Sequence, residues 1–148
     1  MNEQTNNGWQ GHASGECHAL ATHPVDRDRY ATAGDDGAIR IWSCSQRKVL
    51  FRSSPDLTGC GIRALEWSPD GTALLCGCGG DADNATKDGA LIVVELAQGS
   101  NQIEIKHEDR KAKKTVNDIK FSPDGTSFVV ASEDGRVYIH EASDYSLR

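Results

Sequence analysis

The sequence predicts an all-β fold made of three consecutive four-stranded antiparallel units. A proline corner recurs at Pro24, Pro69 and Pro123, 45 and 54 residues apart, and an Asp-Gly pair follows each corner at Asp36-Gly37, Asp88-Gly89 and Asp134-Gly135. Composition agrees: 37% hydrophobic and 26% charged residues with a net charge of -6 describe a globular chain. The longest apolar runs, 90–94 and 128–131, have the length of strands and fall far short of the roughly 20 residues a bilayer span needs.

The elements repeat in order. In the first unit, Leu20-Ala21-Thr22-His23-Pro24 leads to Arg29-Tyr30-Ala31-Thr32-Ala33, and Asp36-Gly37 leads to Ile39-Arg40-Ile41-Trp42. The second runs from Leu65-Glu66-Trp67-Ser68-Pro69-Asp70-Gly71 through 73–77 and Asp88-Gly89 to Leu91-Ile92-Val93-Val94. The third runs from Ile119-Lys120-Phe121-Ser122-Pro123-Asp124-Gly125 through Phe128-Val129-Val130-Ala131 and Asp134-Gly135 to Val137-Tyr138-Ile139. A corner proline presets φ, the aspartate accepts backbone hydrogens and glycine tolerates positive φ, so each Pro-Asp-Gly is a tight reversal. Asp-Gly between two alternating strands is a hairpin signal. The longer second spacing includes an inserted loop at 79–86, and loop insertions cost little. A period of about 40 to 50 residues with four strands per repeat is that of a propeller blade. The expected repeats are about 11–58, 59–110 and 111–148, with 1–10 disordered or forming a partial strand.

Charge and cysteine usage exclude several roles. An acidic chain lacks the basic face that general nucleic-acid binding needs. The polar N-terminus has no apolar core of a secretory signal, which makes the cytoplasm the default location. Five cysteines, Cys17, Cys44, Cys60, Cys76 and Cys78, show no CxxC pair and are expected to be reduced, partly buried thiols.

The first repeat carries Gly11-His12 near its start and Ile39-Arg40-Ile41-Trp42 at its end, with Asp36 six positions before the tryptophan. This resembles the WD-repeat pattern of β-propellers. The resemblance implies a buried hydrogen-bonded set of His12, Thr32, Asp36 and Trp42 with a structural role. Val94 and His140 stand where the other repeats would place tryptophan. Gly15-Glu16, Leu20-Ala21-Thr22-His23-Pro24 and Thr32-Ala33-Gly34-Asp35-Asp36, together with Glu108-Asp109-Arg110-Lys111 and 116–125, are similar to the blades of the echinoderm microtubule-associated protein-like family. Position 18 holds histidine where that family has tryptophan. The resemblance spans about 10–142 and implies a non-catalytic scaffold that associates with tubulin or microtubules in the cytoplasm and cytoskeleton, with no cofactor and no small-molecule substrate. A general WD-repeat adaptor in another multiprotein complex is the alternative.

Other constellations are weaker. Ser14 lies in Gly11-His12-Ala13-Ser14-Gly15, which is not a GxSxG elbow. Asp81, Asp83, Asn84 and Asp88 lack calcium-loop spacing, because Ala85 takes a ligand position. Cys76 and Cys78, two apart on a strand, face one side without further metal ligands. The segment 106–114 holds five basic residues, Lys106, Arg110, Lys111, Lys113 and Lys114, against two acids. It is expected to link two repeats as a loop and is the candidate for binding an acidic partner. Rings of this type hold four to eight blades, so three repeats are expected to form an incomplete ring, part of a longer propeller, with exposed sheet edges.

Overall fold

The computed structural model describes residues 4–5, 8–9, 11–12, 15–54, 57–80, 88–96 and 102–148. A short hairpin of β1 (Gln4–Thr5) and β2 (Gly8–Trp9) precedes three antiparallel sheets. The first sheet is a meander of β3 (Cys17–Thr22), β4 (Arg29–Gly34), β5 (Ile39–Ser43) and β6 (Lys48–Arg52). The second repeats it with β7 (Ile62–Trp67), β8 (Ala73–Cys78), β9 (Leu91–Leu96) and β10 (Ile103–Asp109). The third has three strands rather than four: β11 (Val116–Phe121), β12 (Ser127–Ser132) and β13 (Val137–Glu141). A single antiparallel bridge, His140 to Leu147, lies where a fourth would pair. The three sheets do not close into a ring.

Pairing is in step across the repeats. Tyr30 faces Trp42, Leu74 faces Val94 and Phe128 faces His140 at matching positions of the three sheets. The middle sheet is covered on both faces, so β8 is buried at every position and β9 is buried over 91–94. That explains the continuous apolar runs there, against the alternation in β3, where Ala19 and Ala21 are buried and their neighbours are not. Between the first and second sheets, Ala19, Ala21, Ala31 and Ala33 leave room for Leu65, Trp67 and Leu74. Between the second and third, Leu75 and Val93 pack against Ile119, Phe128 and Val130.

The Pro-Asp-Gly corners are duplicated bond for bond. Asp70 Oδ1 accepts from the Ser68 hydroxyl at 2.6 Å, the Thr72 amide at 3.0 Å and the Thr72 hydroxyl at 2.8 Å. Asp124 Oδ1 accepts from Ser122 and Thr126 at the same distances. In the first repeat His23 replaces the serine. Its Nε2 donates to Gly71 O at 3.0 Å, its Nδ1 accepts from the amides of Val25 and Asp26, and its ring packs on Trp67 at 4.6 Å. Gly71 has φ 73°, and a Cβ there would run into the His23 ring. This histidine therefore ties the corner of one repeat to the corner of the next.

The corners set an acid limit. The Ser122 hydroxyl above all, then the Thr126 amide and hydroxyl, hold Asp124 at about 2, and the Ser68 hydroxyl with Thr72 lowers Asp70. Both folded-state values lie below the unfolded one, so the stabilisation is complete above the ordinary carboxylate value of roughly 4 and is lost as pH falls below it. Urea midpoints are expected to drop between about pH 4 and pH 2, with a flatter slope for Asp70→Asn/Asp124→Asn.

Candidate functional site

The Asp-Gly turns of the three sheets lie at one end of the molecule and organise its polar groups. In the first repeat Gly37, at φ 67°, lets the chain reverse, and Asp36 Oδ1 accepts from the Ala38 amide at 3.1 Å. Trp42 Nε1 donates to Thr32 Oγ1 at 2.8 Å, the Thr32 hydroxyl stands 3.0 Å from His12 Nε2, and His12 Nδ1 lies 2.8 Å from Asp36 Oδ1. One run of donors satisfies every link: indole to hydroxyl, hydroxyl to Nε2, and Nδ1–H to carboxylate. His12, Thr32, Asp36 and Trp42 thus stand in one chain, with both ring nitrogens of the histidine occupied.

A fifth member is absent from the sequence reading. Arg40 is buried, and its Nη1 donates to Asp36 Oδ2 at 3.0 Å while standing 2.6 Å from His12 Nδ1. Guanidinium and imidazole converge on the two oxygens of one carboxylate. The available signal was a charged residue in an otherwise apolar strand, four positions after the turn aspartate.

The other repeats keep the turn aspartate and change its partner. Asp88 Oδ1 accepts from the Thr115 hydroxyl at 3.1 Å. Asp134 Oδ2 accepts from the Lys113 amide at 2.8 Å and from the Tyr138 hydroxyl at 2.7 Å, with Tyr138 in the place of Arg40. These bonds, the Lys113 amide foremost, lower Asp134, and the carboxylate raises Tyr138. Cys76 and Val130 occupy the Thr32 position, so neither repeat can relay a bond to its third strand. His140, in the Trp42 position, instead stacks parallel on Phe128 at 4.9 Å and donates Nδ1–H to Tyr145 O at 2.9 Å.

A charged cluster bridges the first two sheets at the same end. Asp35 accepts from the Glu16 amide at 3.0 Å, lies 2.8 Å from His18 Nε2 and 3.4 Å from Arg63 Nη2. The Glu16 amide bond, then His18 and Arg63, pull Asp35 below the usual carboxylate range. Arg63 also donates to Gly79 O at 3.3 Å. The histidine at position 18 thus stands between Asp35 of its own repeat and Arg63 of the next, 2.8 Å from Asp35 Oδ1 and 2.7 Å from Arg63 Nη1.

The basic segment divides in two. Residues 106–109 belong to β10 rather than to a loop. This edge strand is half exposed, so its polar alternation reads as loop in sequence. Lys106 pairs with Glu104 at 3.4 Å and Glu95 at 3.7 Å on the outer strand, away from the rest. Arg110 pairs with Glu108 at 3.2 Å. Ala112 is buried and pins the loop, which leaves Lys111, Lys113 and Lys114 exposed at the Asp-Gly end. No carboxylate lies within ion-pair distance of those three among the described residues.

The cysteines depart from expectation. Cys60 and Cys78 are joined in a disulfide with their Cα atoms 6.1 Å apart, instead of both being free thiols. Cys78 ends β8 and Cys60 lies two residues before β7, whose Ile62 pairs with Cys78, a proximity that sequence spacing does not reveal. Cys17 and Cys44 are exposed and free, while burial pushes the Cys76 thiol far above its ordinary range. Burial and the nearby Asp36 also raise Cys17. Alkylation of the native, unreduced protein is expected to modify Cys44 fastest, Cys17 more slowly and Cys76 not at all, as read by mass spectrometry.

Among the described residues no group of three His, Cys, Asp or Glu side chains could hold a metal ion, and no helix is long and apolar enough to cross a membrane. Ser14 and the loop residues Asp81, Asp83, Asn84 and Ala85 lie outside the described residues.

Meandering sheets stacked face to face, with a Trp-Thr-His-Asp chain behind an Asp-Gly turn, define blades of the WD-type propeller class. The chain belongs to the family described as "WD domain, G-beta repeat", whose model matches residues 3–43, 51–87 and 104–141. It is 28% identical over 93% of its length to the "Ciliary WD repeat-containing protein ctxp80" of Euplotoides octocarinatus, covering 20% of that protein. It is 30% identical over 88% of its length to "Echinoderm microtubule-associated protein-like 2" of Mus musculus, covering 18% of it. The chain therefore spans about a fifth of the length of these relatives. A chain in the "Crystal Structure of Mitotic Checkpoint Complex" matches with a TM-score of 0.70 and 19% identity, over 84% of this chain and 37% of that one, a likeness of fold.

Proposed function

We propose that this chain is a non-catalytic protein-interaction segment that associates with tubulin or microtubules in the cytoskeleton through the surfaces of its WD repeats. One observation carries the reading: alignment over 88% of the chain with a protein named for microtubule association, at 30% identity. The exposed cations of 110–114 support it. They stand on a loop tied down by Ala112 and by the Lys113 amide bond to Asp134, so they meet an acidic partner at small entropic cost. Capture of soluble tubulin on immobilised protein is the first test. Lys111→Glu/Lys113→Glu/Lys114→Glu is expected to weaken capture at least about tenfold, the effect of roughly 1.4 kcal/mol. Wild-type protein that captures no tubulin contradicts the reading and leaves the adaptor role in another complex.

A further inference from the structure

The Pro-Asp-Gly corners of successive repeats meet at the end of the molecule opposite the Asp-Gly turns, because turns alternate between the two ends of a meander. Between the first and second sheets the space there is filled. His23 donates Nε2–H to Gly71 O at 3.0 Å, and its ring packs on Trp67, which is 5% exposed. The next pair of repeats has Ser68 in the place of His23 and Phe121 in the place of Trp67. Ser68 turns its hydroxyl back to Asp70 of its own corner at 2.6 Å, and Phe121 stays partly exposed. A pocket of about 570 Å³ therefore opens between the second and third sheets, lined by Pro69, Phe121, Ala142 and Tyr145 and by the carboxylates of Asp70 and Asp124.

The charge of this pocket is uncompensated. Hydroxyl and amide bonds to Oδ1 keep both carboxylates ionised at neutral pH. Among the described residues no Lys, Arg or His nitrogen lies within ion-pair distance of either, whereas Glu141, which also lines the pocket, pairs with Arg148. The aromatic wall is fixed in advance. Tyr145 has φ 63°, rare for a bulky residue, and is held there as its carbonyl accepts from His140 Nδ1 at 2.9 Å and its ring meets His107 at 5.4 Å. Burial first, then Glu95 and Asp70, raises the Tyr145 phenol, so the negative field reaches that ring. We propose that this pocket binds an arginine side chain presented by a segment of a partner protein. A guanidinium meets a carboxylate through parallel N–H donors and lies flat on an aromatic ring, whereas an ammonium offers only a point charge. The volume falls within the roughly 300–1,000 Å³ of ligand pockets and leaves room for the residues that flank the arginine. The cations of 111–114 stand at the other end of the molecule, so the two contacts are independent.

Titration of the isotope-labelled 148-residue chain with a terminally blocked Gly/Ser peptide carrying one central arginine tests this, read by amide chemical shifts at neutral pH. Saturable shifts are expected at 68–73, 121–126 and 141–145, with a Kd on the order of 1 mM or tighter. Citrulline in place of the arginine keeps the shape and loses the charge, and is expected to weaken binding at least about tenfold; lysine is expected to weaken it at least about threefold. Asp70→Asn/Asp124→Asn should cost at least about tenfold in affinity. Ser143 is exposed at the pocket, so Ser143→Arg supplies a competing guanidinium without touching the corner bonds and is expected to produce the same loss. Circular dichroism verifies folding of each variant. The proposal is overturned by an absence of saturable shifts up to about 10 mM peptide, by shifts that map outside the pocket, by citrulline or lysine peptides that bind as tightly as arginine, or by unchanged binding to folded Ser143→Arg. None of these outcomes depends on tubulin binding.

Discussion

Asp36→Asn is expected to lower the unfolding free energy by about 3–5 kcal/mol, measured by urea denaturation at neutral pH. The change is nearly isosteric, so the loss comes from electrostatics. It removes the negative charge on which Arg40 Nη1, at 3.0 Å, and His12 Nδ1, at 2.8 Å, converge. Arg40 is 4% exposed and has no second carboxylate among the described residues, so the variant buries a cation without its described counter-charge. The double variant Asp36→Asn/Arg40→Met should recover most of the loss, since removing both partners of a buried pair is far less harmful than removing one. Thr32→Val interrupts only neutral hydrogen bonds and is expected to cost about 1–3 kcal/mol. A smaller effect for Asp36→Asn than for Thr32→Val would show that the carboxylate does not anchor the set.

Phe128→Ala should cost about 3–5 kcal/mol, because its ring is fully buried between the second and third sheets. It stacks on His140 and meets Phe121 at 5.4 Å and Tyr145 at 6.4 Å, so truncation opens a cavity bounded by rings on two strands and a turn. Tyr30 occupies the equivalent place on the uncovered face of the first sheet and supplies an internal control. Tyr30→Ala is expected to cost less than half as much, since its ring is only partly removed from water. Equal losses at the two positions would contradict the packing order described above.

The parts of the fold that are readable in sequence are those governed by local chemistry. Pro69-Asp70-Gly71 and Pro123-Asp124-Gly125 specify their reversals through bonds within five residues, and the strand pattern follows from the pleat. The apolar run over 91–94 also declares a strand covered on both faces. What escapes a sequence reading depends on partners far along the chain. Arg40 looks like a solvent-facing residue of β5 until Asp36 and His12 are brought to it. The link from His23 to Gly71 crosses 48 positions, and Cys60 meets Cys78 only because the start of β7 lies beside the end of β8. Residues 106–109 read as loop because an edge strand has one side free for charged groups. The turn aspartates were visible as hairpin signals, but the exchange of Arg40 for Tyr138 or Thr115 as their partner was not. That exchange keeps one carboxylate satisfied at the same end of every blade while the rest of the polar set is replaced by apolar packing.

Cosedimentation with stabilised microtubules tests the proposed association most directly. The protein is expected to pellet with polymer in a saturable manner, and to be released as salt rises from about 50 to 200 mM, over which the Debye length contracts from roughly 14 to 7 Å. Lys111→Glu/Lys113→Glu/Lys114→Glu should remain in the supernatant. Folded wild-type protein that stays soluble at every microtubule concentration at low salt would contradict the proposal.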